Sequence, residues 1–144
     1  MILQDWVHCL EQLHAKFGDK QALVAAMTPE VRRAYYDFRV AFLQEELDEL
    51  RAAETAEDVV DAVIDLCVVA IGTLHAFGVD AREAWQRVQE ANMAKVPGQN
   101  QSRPNRFGLP DLIKPDGWQA PDHAGNTGIL GTVVTNQWSL TDEQ

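Results

Sequence analysis

Residues 59–74 read VVDAVIDLCVVAIGTL, the most apolar stretch of the chain. Fourteen of its sixteen residues are apolar, small or Thr, and the other two are Asp61 and Asp65. A buried carboxylate costs several kcal/mol unless it is paired, protonated or bound to a cation. We therefore expect both aspartates to be buried beside something that neutralises their charge.

The length and the flanks of this stretch predict a helix, although its many β-branched residues would by themselves favour a strand. Thr55 can cap the helix at its start, with Asp58 three residues later as in a capping box. Gly78 can end it after about Phe77. A helix with so few polar residues is typical of one that is buried nearly all round.

Three other segments carry apolar residues at helical spacing together with start or stop signals. Thr28 can cap the second of them, and Pro29 occupies its first helical position. Gly18, Asp80 and Pro97 mark the other ends. The predicted ranges are 5–18, 28–53 and 80–95. The fold class predicted is all-α, a four-to-five-helix antiparallel bundle with an irregular C-terminal extension.

The composition changes after Lys95. Residues 97–111, PGQNQSRPNRFGLPD, hold three prolines and two glycines, which predicts a loop. The next segment, IKPDGWQAPD, is rich in turn residues. The tail contains ILGTVVTNQWSL, which predicts either a short strand or an extended segment packed on a neighbour. We therefore expect a helical domain at 1–96, and at 97–144 an extension that packs on it or on a neighbouring subunit.

The charge balance excludes several kinds of partner. Twelve Lys and Arg stand against 22 Asp and Glu, which gives a net charge of -10. Such a surface repels DNA, RNA and anionic membranes. A small anion that arrives with a divalent cation is compatible with it, because the cation supplies the missing positive charge.

Three features predict a cytoplasmic protein. Cys9 and Cys67 lie far apart among apolar neighbours and are typical of reduced thiols rather than of a disulfide framework. The N-terminal segment lacks the basic and apolar regions of a signal peptide. Residues 59–74 are too short to span a membrane, and two central aspartates would cost roughly 2.5–3.5 kcal/mol each in a bilayer.

Acidic residues recur at helical spacing on two of the predicted helices. Glu46 and Glu49 are three residues apart on one helix. Asp58, Asp61 and Asp65 share one stripe of the next. The connecting loop is short, so the two helices should pack as an antiparallel hairpin and bring these carboxylates together. Carboxylates that converge without basic partners repel one another unless cations bind, and their oxygens favour Mg²⁺ or Mn²⁺ over zinc.

Structural interpretations of the same residues stay open. Glu45 and its acidic neighbours are typical of a solvated helix face. Asp61 and Asp65 could instead form a buried salt bridge or act as caps. The nearest bases upstream of them are Arg51 and Arg39, so few partners for a salt bridge stand nearby.

Three segments together resemble the all-α nucleoside triphosphate pyrophosphohydrolases. They are FRVAFLQEELDEL, DVVDAVIDLCVVAIGTLHAFGVD and VQEANMAKV, within about residues 36–96. The later KPDGW segment is similar to MazG-like relatives. The superfamily includes MazG, the dimeric dUTPases and phosphoribosyl-ATP pyrophosphohydrolase. The resemblance implies that the helical domain at 1–96 is catalytic.

The family motif is Glu-x-x-Glu on one helix and Glu-x-x-Asp on the next, all of them metal ligands. Glu46 and Glu49 match the first half, and Asp65 matches the final Asp. The sequence departs from the common form at Ala62, three residues before Asp65, where it resembles a DAxxD variant of phage-type sequences. The resemblance implies two or more Mg²⁺ or Mn²⁺ ions per site.

Because position 62 is Ala, the fourth ligand is expected at a neighbouring position. Asp61, one residue before Ala62, is the candidate, and Asp58 and Glu45 are held in reserve. All four carboxylates, Glu46, Glu49, Asp61 and Asp65, are then expected to be both metal-binding and catalytic.

The resemblance also implies residues that contact the substrate. The ANMAK segment is similar to an Asn-x-x-Lys element of the family, which implies that Asn92 and Lys95 reach the nucleotide, with Lys95 at phosphate. Lys114 in KPDGW and Arg39 are further candidates for phosphate contact. Each of the four also has the plain interpretation of a surface residue.

The reaction implied is hydrolysis of a nucleoside triphosphate at the α-phosphorus, giving a monophosphate and pyrophosphate. The resemblance favours dGTP, dUTP or dCTP over phosphoribosyl-ATP, because of the long C-terminal extension and the DAxxD variant. It also implies a homodimer or a dimer of dimers in bacterial or phage-infected host cytoplasm, with no nucleic-acid or membrane partner. The alternative is a noncatalytic helical dimer that binds a divalent ion or a partner protein, and such a dimer would take up metal without turning over any nucleotide.

Overall fold

The computed structural model describes residues 5–134. Five α-helices account for most of this range, which confirms the all-α fold class. They are α1 Trp6–Lys16, α2 Lys20–Ala25, α3 Pro29–Ala52, α4 Ala56–Ala76 and α5 Ala81–Met93. Helix α2 is absent from the predicted ranges. It has six residues and begins where Asp19 accepts a hydrogen bond of 3.1 Å from the backbone N–H of Ala22.

Two helices begin at the caps that the sequence predicts. At the start of α3, Thr28 Oγ1 accepts a hydrogen bond of 3.3 Å from the N–H of Val31. At the start of α4, Thr55 Oγ1 accepts from the N–H of Asp58 at 3.1 Å. The Asp58 carboxylate in turn accepts from the N–H of Thr55 at 3.0 Å, which completes the capping box.

Helices α3 and α4 form the predicted antiparallel hairpin. Arg39, in the first half of α3, donates hydrogen bonds of 2.9 Å to Thr73 Oγ1 and 2.8 Å to the carbonyl oxygen of Val69, both in the second half of α4. Nearer the connecting loop, the charge of Asp65 acts on Glu46. Contacts in this order are those of two helices that run in opposite directions.

Helix α4 buries one narrow stripe instead of its whole circumference. Half-buried Asp65 lies in a series of three- and four-residue steps with the buried residues Ala62, Val69, Gly72 and Ala76. Asp61 is exposed, so the prediction that both aspartates are buried is wrong for Asp61. The physical reason is that Asp61 lies one residue off the stripe. Val60 and Ile64, on the side of α4 next to Asp61, are exposed as well.

By length and composition alone, α4 is the one helix among residues 5–134 that could cross a membrane, and only 22% of its apolar window is buried. A mostly buried core helix of a soluble protein can have the same length and composition. Asp61 and Asp65 would be costly near the middle of a bilayer. The helix has 21 residues and extends beyond residues 59–74, so its length does not exclude a span as that of the shorter stretch did.

The core of the helical part of the chain includes a segment from far along the sequence. Val24, Phe77 and Val133 are fully buried in one cluster with Ala76. Val133 directly follows a short 3-10 helix, Leu130–Thr132. The backbone N–H of Ile129 donates a hydrogen bond of 2.9 Å to the carbonyl oxygen of Phe77. The segment around Val133 is thus part of the core.

The buried Arg32 guanidinium links this segment to α2 through hydrogen bonds. It donates a hydrogen bond of 2.9 Å to Thr132 Oγ1. It also donates hydrogen bonds of 2.8–3.1 Å to the carbonyl oxygens of Val24, Ala25 and Met27. These oxygens take the place of water around the guanidinium, which makes its burial tolerable.

Helix α1 meets α4 at a pair of histidines. The Nδ1 atoms of His14 and His75 are 2.8 Å apart, so one ring donates a hydrogen bond and the other accepts it. Burial lowers the pKa of His14 to about 4, with the charges of His75, Lys20 and Arg39 as smaller causes. A Cβ on Gly72 would lie 3.2–3.4 Å from neighbouring side chains that include His14 and Arg39, so glycine lets the helices approach closely here.

Residues 82–126 form a second compact unit, distinct from the unit made by residues 5–81 and 127–134. The second unit contains most of α5 and an antiparallel pair of short strands, β1 Val96–Gly98 and β2 Asp111–Ile113. The prediction that all of residues 97–111 form a loop is therefore wrong at both ends. The strands are three residues long and include Pro97 and Gly98, so no alternation of polar and apolar residues predicts them.

The expected division into 1–96 and 97–144 stays a prediction. Of the ILGTVVTNQWSL segment, residues 129–134 are described, and they contain the 3-10 helix where a short strand or an extended segment was expected. Residues 135–140 lie outside the described residues.

Candidate active site

Glu46 stands at the centre of an acidic group. Its side chain is 8% exposed, and its Oε2 atom has no hydrogen-bond partner among residues 5–134. Burial raises the pKa of Glu46, and the charges of Glu49, Asp65 and Glu45 raise it further. A buried carboxylate among other carboxylates is costly as an anion unless a cation joins it.

A cleft of about 370 Å³ opens where the end of α3 meets the start of α4. Its lining includes Glu49, Asp58 and Asp61, together with Ala62. Glu49 therefore belongs both to the group around Glu46 and to this cleft. The structure thus links the four predicted ligands into two overlapping groups that share Glu49.

The reserve candidate Asp58 and the motif position Ala62 have distinct environments. Asp58 is committed to the cap of α4, and its hydrogen bonds with Thr55 lower the pKa of Asp58. Ala62 is buried on the inner stripe of α4, at the position where the common family pattern has Glu. Asp61 lines the cleft from the next position, and its role as the fourth ligand stays a prediction.

The donor chemistry of these residues fits a hard divalent cation. Within residues 5–134, no three His, Cys, Asp or Glu side chains stand close enough together to hold an ion. The groups around Glu46 and the cleft nevertheless offer carboxylate oxygens, and Glu46 Oε2 is a buried acceptor without a donor. Oxygen donors suit Mg²⁺ or Mn²⁺ better than zinc, and the metal stays a prediction.

Arg39 makes contacts that connect α3 to α4. Its side chain is buried, and its two hydrogen bonds to α4 hold the hairpin together. Its guanidinium also lies 5.4 Å from the centroid of the Phe42 ring. Phosphate contact by Arg39 stays a prediction.

The other predicted substrate residues form a cluster in the second unit. Lys95 Nζ donates a hydrogen bond of 3.0 Å to Asn92 Oδ1. Lys95 Nζ and Lys114 Nζ lie 5.1 Å and 5.0 Å from the centroid of the Trp118 ring. The structure therefore brings Asn92, Lys95 and Lys114 together around a tryptophan that the sequence analysis did not select.

Trp118 and the His14–His75 pair are the notable residues that sequence reasoning missed. Trp118 ends the KPDGW segment, four residues after Lys114, so a turn that returns the ring toward that lysine was the available signal. His14 and His75 are 61 residues apart, and no local pattern connects them.

Comparison with known proteins assigns a family to most of the helical region. A family model described as phosphoribosyl-ATP pyrophosphohydrolase matches residues 10–92, more than half of the chain. The match includes all four predicted carboxylates, whereas Lys95, Lys114 and Trp118 lie beyond it. No significant match was found among curated proteins.

Proposed function

We propose, from the premise that this chain belongs to the phosphoribosyl-ATP pyrophosphohydrolase family, that it hydrolyses deoxynucleoside triphosphates to monophosphates and pyrophosphate with the help of a divalent metal ion. The family is part of the MazG-like all-α nucleoside triphosphate pyrophosphohydrolase superfamily. Membership supports nucleotide pyrophosphohydrolase activity in general. The deoxynucleotide and the metal are our proposal.

The observation that carries the proposal is the buried Oε2 atom of Glu46, which has no hydrogen-bond partner among residues 5–134. Burial raises the pKa of the Glu46 carboxyl, and the charges of Glu49, Asp65 and Glu45 raise it further. A purely structural site would replace such an acid or pair it with a base. A cation that arrives with a polyphosphate would neutralise the charge of the Glu46 carboxylate.

The proposed roles follow from where each side chain lies. Glu46, Glu49, Asp61 and Asp65 would hold Mg²⁺ or Mn²⁺. The bound metal would lower the pKa of a water molecule and neutralise charge on the phosphates. A carboxylate of the group would accept a proton from the attacking water. The water oxygen would bond to the α-phosphorus, and the bond to the bridging oxygen would break as pyrophosphate leaves.

Two substrate classes are compatible with the proposed reaction. The DAxxD variant and the C-terminal extension support a deoxynucleoside triphosphate such as dGTP, dUTP or dCTP. The description of the matching family model supports phosphoribosyl-ATP as the second candidate. Both substrates carry a triphosphate that is cut between the α- and β-phosphates, so the same carboxylates would serve either one.

The proposal includes self-association in the cytoplasm. Val60, Val63 and Ile64 on α4 are 42–64% exposed, an apolar surface that a second copy of the chain would cover. A homodimer or a dimer of dimers would supply that cover. The net charge of -10 supports a protein that binds neither nucleic acid nor anionic membranes.

The test is a turnover panel with Mg²⁺ or Mn²⁺ on each common NTP and dNTP, dUTP and phosphoribosyl-ATP. Pyrophosphate and phosphate are counted separately, and Asp65→Asn and Asp48→Asn are measured in parallel. We expect pyrophosphate from one or two substrates, lost in Asp65→Asn and retained in Asp48→Asn, whose carboxylate is exposed on α3. Metal uptake by a folded protein with no turnover of any nucleotide would favour the noncatalytic binding protein instead.

A further inference from the structure

Helix α1 is attached to the rest of its unit by a small buried surface. Of its 11 residues, only Leu10 and His14 are buried. The apolar side chains of Trp6, Leu13 and Phe17 are 43–67% exposed, and α1 contributes no residue to the hydrophobic core cluster. A helix with so few buried side chains can separate from a fold at a lower free energy than global unfolding requires.

The histidine pair, His14 of α1 and His75 of α4, supplies the polar contact at this surface. Their Nδ1 atoms are 2.8 Å apart, so one ring donates its Nδ1 proton and the other presents a lone pair. The hydrogen bond is therefore compatible with at most one charged ring. With both rings charged, each Nδ1 carries a hydrogen, and two N–H groups oppose each other in place of the bond.

Positive charges reach the His14 ring from α2, α3 and α4. Within residues 5–134, the charges that act on it are those of His75, Lys20 and Arg39, and no carboxylate is among them. Arg39 Nη2 and His14 Nε2 lie 3.2 Å and 3.3 Å from the point that a Cβ on Gly72 would occupy, so guanidinium and imidazole flank the same glycine. A proton added to His14 thus enters a buried environment that already holds positive charge.

We propose that the histidine pair is a pH-sensitive switch, which holds α1 on α4 at neutral pH and releases this helix locally when the two rings take up protons. Burial, more than any neighbouring charge, lowers the pKa of His14 from 6.5 to about 4. The docked helix is therefore stabilised above pH 6.5, and this stabilisation is lost as pH falls toward 4. Release would expose Leu10 and Gly72 and leave the core cluster closed.

The first experiment measures amide hydrogen exchange of α1 and α3 by mass spectrometry at pH 7 and pH 5, each at several low urea concentrations. Intrinsic rates come from unprotected peptides of the same sequence. We expect α1 to exchange through an opening that hardly depends on urea, and α3 through global unfolding, which does. From pH 7 to pH 5, the protection factor of α1 should fall about 25-fold. If α1 shares the protection and the urea dependence of α3 at pH 5, it opens only with the whole unit, and the switch is overturned.

Charge reversal connects this opening to the histidine pair. Lys20→Glu keeps both imidazoles and replaces a positive charge that acts on His14 by a negative one, so the fall in α1 protection should be at least about threefold smaller. Lys16→Glu is the matched control, because it makes the same change in charge on α1 and the charge of Lys16 is not among those that act on His14. An equal fall in the two variants would refute the switch.

His14→Gln removes the titrating ring itself. Protection of α1 in this variant should change by less than about threefold between pH 7 and pH 5, whereas His8→Gln, at an exposed position of the same helix, should behave like wild type. A fall as large as that of wild type in His14→Gln would refute the switch. If His14→Gln leaves α1 undocked already at pH 7, the two lysine variants decide. None of these measurements involves turnover, so the result is independent of the proposed function.

Discussion

Glu46 carries its negative charge where little water can reach it and where other carboxylates stand close. Its pKa is raised first by burial and then by Glu49 and Asp65. An acid with a raised pKa in the folded state stabilises that state below its unfolded value of 4.5, and this stabilisation is lost as pH rises through the folded pKa. At neutral pH without metal, the raised pKa of Glu46 therefore lowers the free energy of unfolding.

Glu46→Gln should therefore stabilise the metal-free protein at pH 7 and abolish turnover. The amide removes one charge and can donate to neighbouring carboxylates, so Tm in EDTA should rise by a few degrees. Thermal unfolding with EDTA, and then with added Mn²⁺, measures both effects, and only wild type should gain from the metal. Asp48→Asn is the control, because Asp48 is exposed and its charge is not among those that raise the pKa of Glu46. A lower Tm for Glu46→Gln in EDTA would contradict this account.

His14 makes the stability of the fold depend on pH in the mildly acidic range. Its pKa is about 4 when folded against 6.5 in the unfolded chain, so its stabilising effect is present above pH 6.5 and is lost as pH falls toward 4. The loss amounts to about 2 kcal/mol at pH 5. In urea unfolding at pH 7 and pH 5, His14→Gln should lose less stability than wild type by about that amount. His8→Gln, at an exposed position, should behave like wild type, and an equal loss in His14→Gln would exclude His14 as the cause.

At the scale of the elements, the sequence predicted what local chemistry decides. Thr28 and Thr55 cap their helices as expected, because a cap depends on residues within one turn. The short strands β1 and β2 were missed because their pairing joins residues 13 to 17 apart in the sequence, with no alternating pattern of polar and apolar residues. Asp61 was expected to be buried because apolar neighbours suggest burial, whereas its exposure depends on which face of α4 meets α3.

In the candidate site, too, the sequence predicted what local spacing decides and missed what the tertiary fold decides. The spacing of Glu46 and Glu49 predicts that they share one face of α3, and the charge of Glu49 does act on Glu46. The charge of Asp65 reaches Glu46 from α4, as the expected hairpin implies, and the role of these residues as ligands stays a prediction. Trp118 and its two lysines could not be anticipated as a group, because the turn at Gly117 and the strand pair together bring them near one another.

Gly128 shows how closely the late segment fits against α4. Its φ is 51°, and a Cβ there would collide with the carbonyl oxygen of Phe77 and the backbone of Gly78. Gly128→Ala should cost roughly 3 kcal/mol or more of unfolding free energy, since strain and overlap add. Gly125→Ala should cost only about 1 kcal/mol, because its φ is also positive but its Cβ would meet open space. Equal losses in chemical denaturation would show that the collision is relieved.

At the scale of the whole molecule, the apolar surface of one chain exceeds what its own fold covers. Val60 is 64% exposed and Ile64 is 43% exposed on the same face of α4. Phe38, on α3, is 60% exposed. Such a surface is typical of a protein that associates with another copy.

The double variant Val60→Lys and Ile64→Lys should therefore dissociate the proposed dimer. Burying two lysines in an apolar interface is costly, so the dissociation constant should rise at least about a hundredfold. Sedimentation equilibrium measures this. The charge-matched control is Leu109→Lys with Leu112→Lys, two exposed leucines of the second unit. Unchanged association of the α4 variant would place the interface elsewhere.

The burial of Val133 beside Val24 and Phe77 has a consequence for biosynthesis. The helices up to residue 81 leave the ribosome before residues 82–126, yet their shared core is incomplete until residue 133 has been added. At about 5–20 residues per second, the growing chain carries an unfinished hydrophobic surface for several seconds. During that interval the second unit is already being made, so the order of translation differs from the order in which the two units can be completed.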